Sequence, residues 1–160
     1  MNTTIRKRRV GGFSLIELVI VVVIIGIIGA IAIPRLSRGA EGANDSALIG
    51  DLAVLRNAVD LYATEHGGSY PALATLEAQL TTYTDVSGGV SATKTGNFIY
   101  GPYIRKIPAL PLGDQVGNAT FTATNGTANM GWVYTAATGE ITANTGAAET
   151  DASGTLYSDY

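Results

Sequence analysis

Hydrophobic residues dominate the chain from Phe13 to Ile33, where Glu17 is the single charged residue. A helix of that length spans about 32 Å, close to the hydrocarbon thickness of a lipid bilayer. The basic cluster Arg6–Arg9 stands immediately before this apolar run. Under the positive-inside rule, such a cluster keeps the N-terminus in the cytoplasm. The pattern therefore predicts a single-pass inner-membrane helix over residues 13–34, with the rest of the chain outside.

A different pattern follows over residues 35–66, where apolar residues recur at helical spacings of four and three. These positions share one helical face and are Leu48, Leu52, Leu55, Val59 and Tyr62. Gly67 and Gly68 supply a stop, because glycine tolerates the left-handed conformation that ends helices. We therefore predict one long helix whose apolar half is followed by an amphipathic half. The alternative is a loop that separates the two halves after Pro34.

The remaining residues, 67–160, predict a small globular head. Residues 75–80 are typical of a short helix, residues 98–100 and 119–124 of strands, and residues 130–134 and 140–144 of a β-hairpin. Prolines 102, 108 and 111 indicate an extended segment without regular pairing. The fold class is therefore α+β, with a long N-terminal helix packed on a small C-terminal antiparallel sheet.

A core that joins the helix to the hairpin follows from these patterns. We expect Leu52, Leu55 and Val59 to pack against Trp132 and Tyr134, which lie on one face of the first hairpin strand. The alternative for Trp132, the only tryptophan, is an exposed aromatic that binds a ligand. Core packing is the preferred interpretation.

Charge and composition exclude several functions. The chain has 10 basic and 13 acidic residues, and loss of the four basic residues in positions 1–12 would leave 6 against 13. No basic residue follows Lys106, so the outer part of the chain is acidic and a nucleic-acid surface is not expected.

With no cysteine and one histidine, His66, zinc and thiol chemistry lack ligands. We expect His66 to interact with the C-terminal end of the helix dipole rather than to catalyse a reaction. No nucleophile elbow or phosphate loop is present, and we predict that the protein is not an enzyme.

The N-terminal residues carry a family resemblance. A basic leader, then Gly12, Phe13 and the sequence SLIEL before an unbroken apolar helix resemble the signature of type IV pilins and type II secretion pseudopilins. The resemblance implies that a prepilin peptidase removes residues 1–12, that Phe13 is then N-methylated, and that subunits assemble into a helical filament. Gly26 and Pro34 fall where this family often loosens or bends the helix, and Pro34 removes a helical backbone donor.

We expect Glu17 to have a partner, because a carboxylate inside a membrane helix costs on the order of 3 kcal/mol. Cleavage between Gly12 and Phe13 would create an amino group one helical turn away, on the same chain or on a packed neighbour. We therefore expect Glu17 to pair with such an amino group during assembly.

The segment GPYIRKIPALPLG (101–113) resembles the major pseudopilin of type II secretion more than a motility pilin. The resemblance implies a homo-oligomeric filament that drives protein export with an inner-membrane assembly platform and minor pseudopilins, its heads in the periplasm. Other functions are also compatible with the sequence. The chain could form a type IV pilus for adhesion, motility or DNA uptake, or remain a non-assembling anchor. The residues Ala30–Ala32 also resemble a signal peptidase site, which would release a secreted binding module.

Calcium is the one ligand that the resemblance brings in, because major pseudopilins often bind it in a C-terminal loop. The available carboxylates are scattered and lack a dense ligand spacing: Asp114, Glu140, Glu149, Asp151 and Asp159. We therefore assign no metal ligands and no cofactor, and leave calcium as an alternative with unknown ligands.

Overall fold

The computed structural model describes residues 12–146, 148–151 and 153–160. Residues 1–11 of the expected leader lie outside this range. The chain divides into two compact units, Met1–Gly39 and Ala40–Tyr160. The α+β, pilin-like fold expected from the sequence is confirmed by the order of its elements.

Helix α1 comprises Leu15–Glu65. Leu15–Ile33 is long and apolar enough to cross a membrane, and none of its most apolar window is buried. Pro34 and residues 35–44 are helical as well, so the alternative of a connecting loop after Pro34 is wrong. A single proline removes one helical hydrogen bond, and Ala40, Glu41 and Ala43 are good helix formers that sustain the helix beyond it. A bend at Gly26 or Pro34 stays a prediction.

The amphipathic half of α1 supplies one side of the head core. All five residues of its predicted apolar face are at most 3% exposed. The helix ends at Glu65, and Gly67 and Gly68 follow with φ values of 65° and 86°. The glycine stop therefore acts through the left-handed conformation that residues with a Cβ rarely adopt.

Short elements build the other side of the head. A 3-10 turn at Leu73–Thr75 leads into helix α2, Leu76–Thr81, close to the expected short helix. Strands β1 (Tyr83–Thr84) and β2 (Val90–Ser91) pair antiparallel. A second sheet has the order β3-β4-β5, with β3 at Phe121–Thr122, β4 at Trp132–Thr135 and β5 at Glu140–Ala143. A last 3-10 turn covers Tyr157–Asp159.

The predicted β-hairpin is confirmed, since β4 and β5 pair antiparallel from Trp132–Ala143 to Thr135–Glu140. The small antiparallel sheet expected from the sequence is present in this hairpin, whereas β3 beside it runs parallel to β4. Residues 123–131 return the chain between them, and the N–H groups of Gly131 and Trp132 both donate to the Thr120 carbonyl. Parallel pairing normally needs a long crossover connection, and here only two residues of β3 pair after this short return.

The expected strand at residues 98–100 is also wrong. Only Tyr100 pairs, in an isolated bridge with Thr84. The Phe98 N–H instead donates to the Thr95 carbonyl in a turn, and Pro102 prevents extension on the other side. Residues 101–113 contain no helix or strand, in agreement with the extended proline-rich segment that the sequence predicts.

Candidate assembly segment and head core

Gly12 and Phe13 precede α1, Glu17 lies in its first turn, and all three residues are exposed. The backbone N–H of Ser14 donates a hydrogen bond to Glu17 Oε2 over 2.9 Å. A carboxylate at this point satisfies a backbone donor that the first turn leaves free, and it interacts favourably with the positive end of the helix dipole. Glu17 therefore has a local partner within its own chain.

Sequence reasoning missed this hydrogen bond, although the signal is present. Ser14-Leu-Ile-Glu17 has the S-x-x-E spacing of a capping box, in which the acid reaches back to the first residue of the motif. The expected contact between Glu17 and the amino group of a cleaved Phe13 stays a prediction.

The apolar side chains after Glu17 are largely exposed in the single chain. Leu15, Ile16 and Ile33 are 82%, 61% and 71% exposed, and the described residues between them follow the same pattern. A contiguous apolar surface of this size needs a bilayer or other apolar helices around it.

The five residues expected to form the head core lie together in one buried cluster. Leu52, Leu55 and Val59 from α1 are at most 1% exposed, as are Trp132 and Tyr134 from β4. The cluster also contains Leu48, Ile141 and the two leucines of the expected short helix, Leu76 and Leu80. Ile107 and Leu110, which the sequence did not single out, complete the packing from the proline-rich segment.

Both aromatic residues of β4 satisfy their polar atoms inside the core. The indole Nε1–H of Trp132 donates to the Pro108 carbonyl over 2.9 Å. The Tyr134 hydroxyl donates to the Pro71 carbonyl over 2.8 Å, and burial raises the pKa of this tyrosine above its ordinary value. Each ring therefore holds a proline-containing segment against the sheet, which is a structural role.

A second set of contacts, which sequence reasoning missed, fastens the C-terminal tail to α1. Arg56 donates from Nε and Nη2 to the Ile141 carbonyl at 3.1 and 2.8 Å, and Nη2 also donates to the Tyr160 carbonyl. The Tyr157 hydroxyl donates to Asp45 Oδ1 at 2.8 Å. Burial, followed by this hydrogen bond, raises the pKa of Tyr157 to about 12. No local pattern indicates these pairs, because their partners are 85 to 112 residues apart.

His66 lies just after the end of α1 and is only 7% exposed. Its Nδ1 is 2.8 Å from the Tyr62 carbonyl oxygen and its Nε2 is 2.9 Å from the Asp85 carbonyl oxygen. The ring stacks on Tyr62 with 3.8 Å between centroids. These contacts tie the end of the helix to the loop after β1, which suits a structural residue at a helix terminus.

The carboxylates considered for calcium do not converge. Among the described residues, no group of three or more His, Cys, Asp or Glu side chains is arranged to hold a metal ion. Glu149 accepts hydrogen bonds from the backbone N–H groups of Asp114 and Gly146. Asp151 accepts them from the Tyr160 hydroxyl and from the backbone N–H groups of Thr155 and Ser153, and these bonds lower the pKa of Asp151. These carboxylates therefore form no calcium site within the part of the chain that the structure describes, and calcium stays an alternative with unknown ligands.

Comparison with known proteins extends the similarity from the N-terminus into the head. Residues 7–33 match the prokaryotic N-terminal methylation motif. Over 110 residues the chain is 32% identical to the type II secretion system core protein G of Aeromonas hydrophila, an alignment that covers 69% of this chain and 73% of that relative. No solved structure matches the chain significantly.

Proposed function

The chain belongs to the pseudopilins of type II secretion systems, and we propose that it is the major subunit of a filament that grows from the inner membrane to drive protein export. The observation that carries this proposal is the 32% identity to a core protein G, which extends over 110 residues and so includes much more than the N-terminal motif. No observation favours a type IV pilus subunit over this function.

Before assembly, the subunit spans the inner membrane once, with its N-terminus in the cytoplasm and its head in the periplasm. The length and exposure of Leu15–Ile33 support this placement, and the basic residues at positions 6–9 support the orientation. The two units of the chain then correspond to a membrane segment and a periplasmic head. We propose four functional segments: a leader at residues 1–12, a membrane and filament-core helix at 13–34, an amphipathic helix at 35–66 and the globular head at 67–160.

Maturation removes residues 1–12 and leaves Phe13 as the methylated N-terminal residue. The match of residues 7–33 to the N-terminal methylation motif supports this step. Gly12 lies before the helix begins, where the backbone is not protected by helical hydrogen bonds. A prepilin peptidase is therefore a necessary partner.

Assembly then moves the apolar half of α1 from lipid into a core of parallel helices, with the acidic heads outside. The amino group of each incoming Phe13 enters this core as a positive charge, and Glu17 of a neighbour is the acid placed to neutralise it. Bending at Gly26 and Pro34 would let the helix follow the filament core. The assembly platform and the minor pseudopilins are the further partners of this process.

The head has a structural role in this proposal and carries no reaction. The side chains singled out in it pack in a core or hold loops and the tail through hydrogen bonds. Its acidic charge balance also disfavours nucleic acid as a partner.

Mass spectrometry of the mature N-terminus tests the proposal. In a host with a type II secretion system, we expect a chain that begins with N-methylated Phe13. Gly12→Val should block cleavage, because the branched side chain obstructs the peptidase, whereas the neighbouring control Gly11→Val should still be processed. A mature chain that begins at Ile33 would show a signal peptidase product and overturn the filament function.

A further inference from the structure

We propose that Asn125 is a site of spontaneous deamidation and that the buried side chain of Asn144 suppresses the reaction while the head is folded. Asn125-Gly126 is the only Asn-Gly pair in the chain, and both residues are exposed. The site lies in the loop of residues 123–131 that connects β3 to β4.

The chemistry needs only water. The backbone nitrogen of Gly126 attacks Cγ of Asn125, a new N–Cγ bond forms, and the side-chain nitrogen leaves as ammonia with the proton that the backbone nitrogen loses. The product is a five-membered succinimide. Water then adds to one of its two carbonyl carbons and opens the ring to aspartate or to isoaspartate. Glycine favours the first step because it has no side chain to obstruct the attack.

The reacting groups are already neighbours in the folded loop. The Gly126 nitrogen lies 2.9 Å from Asn125 Oδ1, and Gly126 has a φ of 80°. The nucleophile and the amide that it attacks therefore need only a small local rearrangement to meet.

Asn144 opposes that rearrangement. Its Oδ1 accepts a 2.7 Å hydrogen bond from the same Gly126 N–H group that must lose its proton. Its Nδ2 donates to the carbonyl oxygens of Thr127 and Met130, both at 2.7 Å, and the residue is fully buried. Since the side chain makes three hydrogen bonds to the loop, the Gly126 nitrogen reaches Cγ only when the loop separates from Asn144.

The modification would also weaken the contact that suppresses it. In the succinimide, the Gly126 nitrogen carries no hydrogen and cannot donate to Asn144, which leaves a buried acceptor without this partner. Hydrolysis to isoaspartate then adds a carbon to the backbone of a loop that leads directly into β4. Deamidation at Asn125 is therefore irreversible, and it accumulates in heads that have been exposed to water for long periods.

Peptide mapping by mass spectrometry measures the reaction in the full-length protein, kept in detergent micelles in mildly alkaline buffer. Unfolded wild type in denaturant is the reference, and Asn118, which precedes alanine, is an internal control in the same digest. We expect Asn125 to lose ammonia at least about tenfold more slowly in the folded than in the unfolded chain, because hydrogen bonds to Asn144 must break first.

Two variants separate the site from its protection. Asn144→Asp keeps the shape and an acceptor for Gly126 but loses both donated hydrogen bonds, and it should speed deamidation of the folded protein about tenfold. Asn125→Gln should remove the signal. Circular dichroism reports whether Asn144→Asp is folded. If the variant is unfolded, the ratio of the deamidation rates of Asn125 in folded and unfolded wild type tests the protection instead. Equal rates in folded and unfolded wild type would overturn the protective role of Asn144. Faster reaction at Asn118 than at Asn125 in denaturant would overturn the site itself.

Discussion

Replacement of Trp132 by alanine tests the head core most directly. The side chain is fully buried among residues of α1, α2 and the sheet, and its indole N–H donates to the Pro108 carbonyl. Truncation of a buried tryptophan costs about 3–5 kcal/mol, and loss of the donor for Pro108 adds about 1 kcal/mol. Because a domain of this kind is stable by about 5–15 kcal/mol, the substitution removes a large fraction of the free energy of unfolding.

A fragment of residues 40–160, which form a compact unit, is suited to the measurement. We expect Trp132→Ala to lower its thermal midpoint by at least about 10 °C, followed by far-ultraviolet circular dichroism. Trp132→Phe keeps an aromatic ring without the N–H group and should cost about 1–2 kcal/mol.

Ile99 is 52% exposed and provides the matched control, since Ile99→Ala should change the stability by no more than about 0.5 kcal/mol. A midpoint for Trp132→Ala close to that of Ile99→Ala would refute the reasoning. The core would then not depend on the contact between β4 and α1.

Two further predictions concern the ends of the mature chain. Glu17→Leu should be inserted, cleaved and folded but give few filaments in a secretion-competent host, because the amino group of an incoming Phe13 finds no acid; near-normal filament yield would contradict this mechanism. Tyr157 has its pKa raised to about 12 from 10, so its contribution to stability is present below pH 10 and is lost as the pH rises towards 12. Tyr157→Phe should therefore flatten the decline in thermal stability of the head between those pH values, and an unchanged decline would show that the bond to Asp45 does not hold the tail.

The parts of the fold that could be predicted are those recorded in local periodicity. Leu52, Leu55 and Val59 repeat at helical spacing, and Trp132 and Tyr134 alternate along a strand. The helix and the strand each have one apolar face to bury. In a small head, few other surfaces are available to cover these faces, so the two faces pack against each other. The hairpin was predictable for the same reason, with Gly139 at the left-handed position of its turn.

The parts that could not be predicted depend on residues far apart in the chain. Arg56 lies beside the apolar face of α1, and nothing near it indicates that it donates to the Ile141 carbonyl. Asn144 is a polar residue at the end of the predicted strand of residues 140–144, yet it is fully buried because the 123–131 loop folds over it. Polar residues of this kind satisfy backbone groups that only the tertiary fold brings near, whereas the Ser14–Glu17 contact was local and its spacing could have revealed it.

The hydrogen bond between Ser14 and Glu17 bears on how the register between subunits of a filament could be specified. Apolar helices that leave the bilayer for a helix bundle gain little from the hydrophobic effect, because lipid tails and leucine side chains are equally apolar. The exposed residues of Leu15–Ile33 can therefore favour close packing without fixing the register between neighbours. Glu17 is the one charged residue in that surface, and in a single chain it accepts a backbone N–H from Ser14. A carboxylate with oxygen acceptors beyond that bond can also meet an ammonium group. Charged hydrogen bonds are stronger than neutral ones. In the proposed filament, we therefore expect the helix cap to hold the acid in position until a neighbour's amino group reaches the matching height and determines the register.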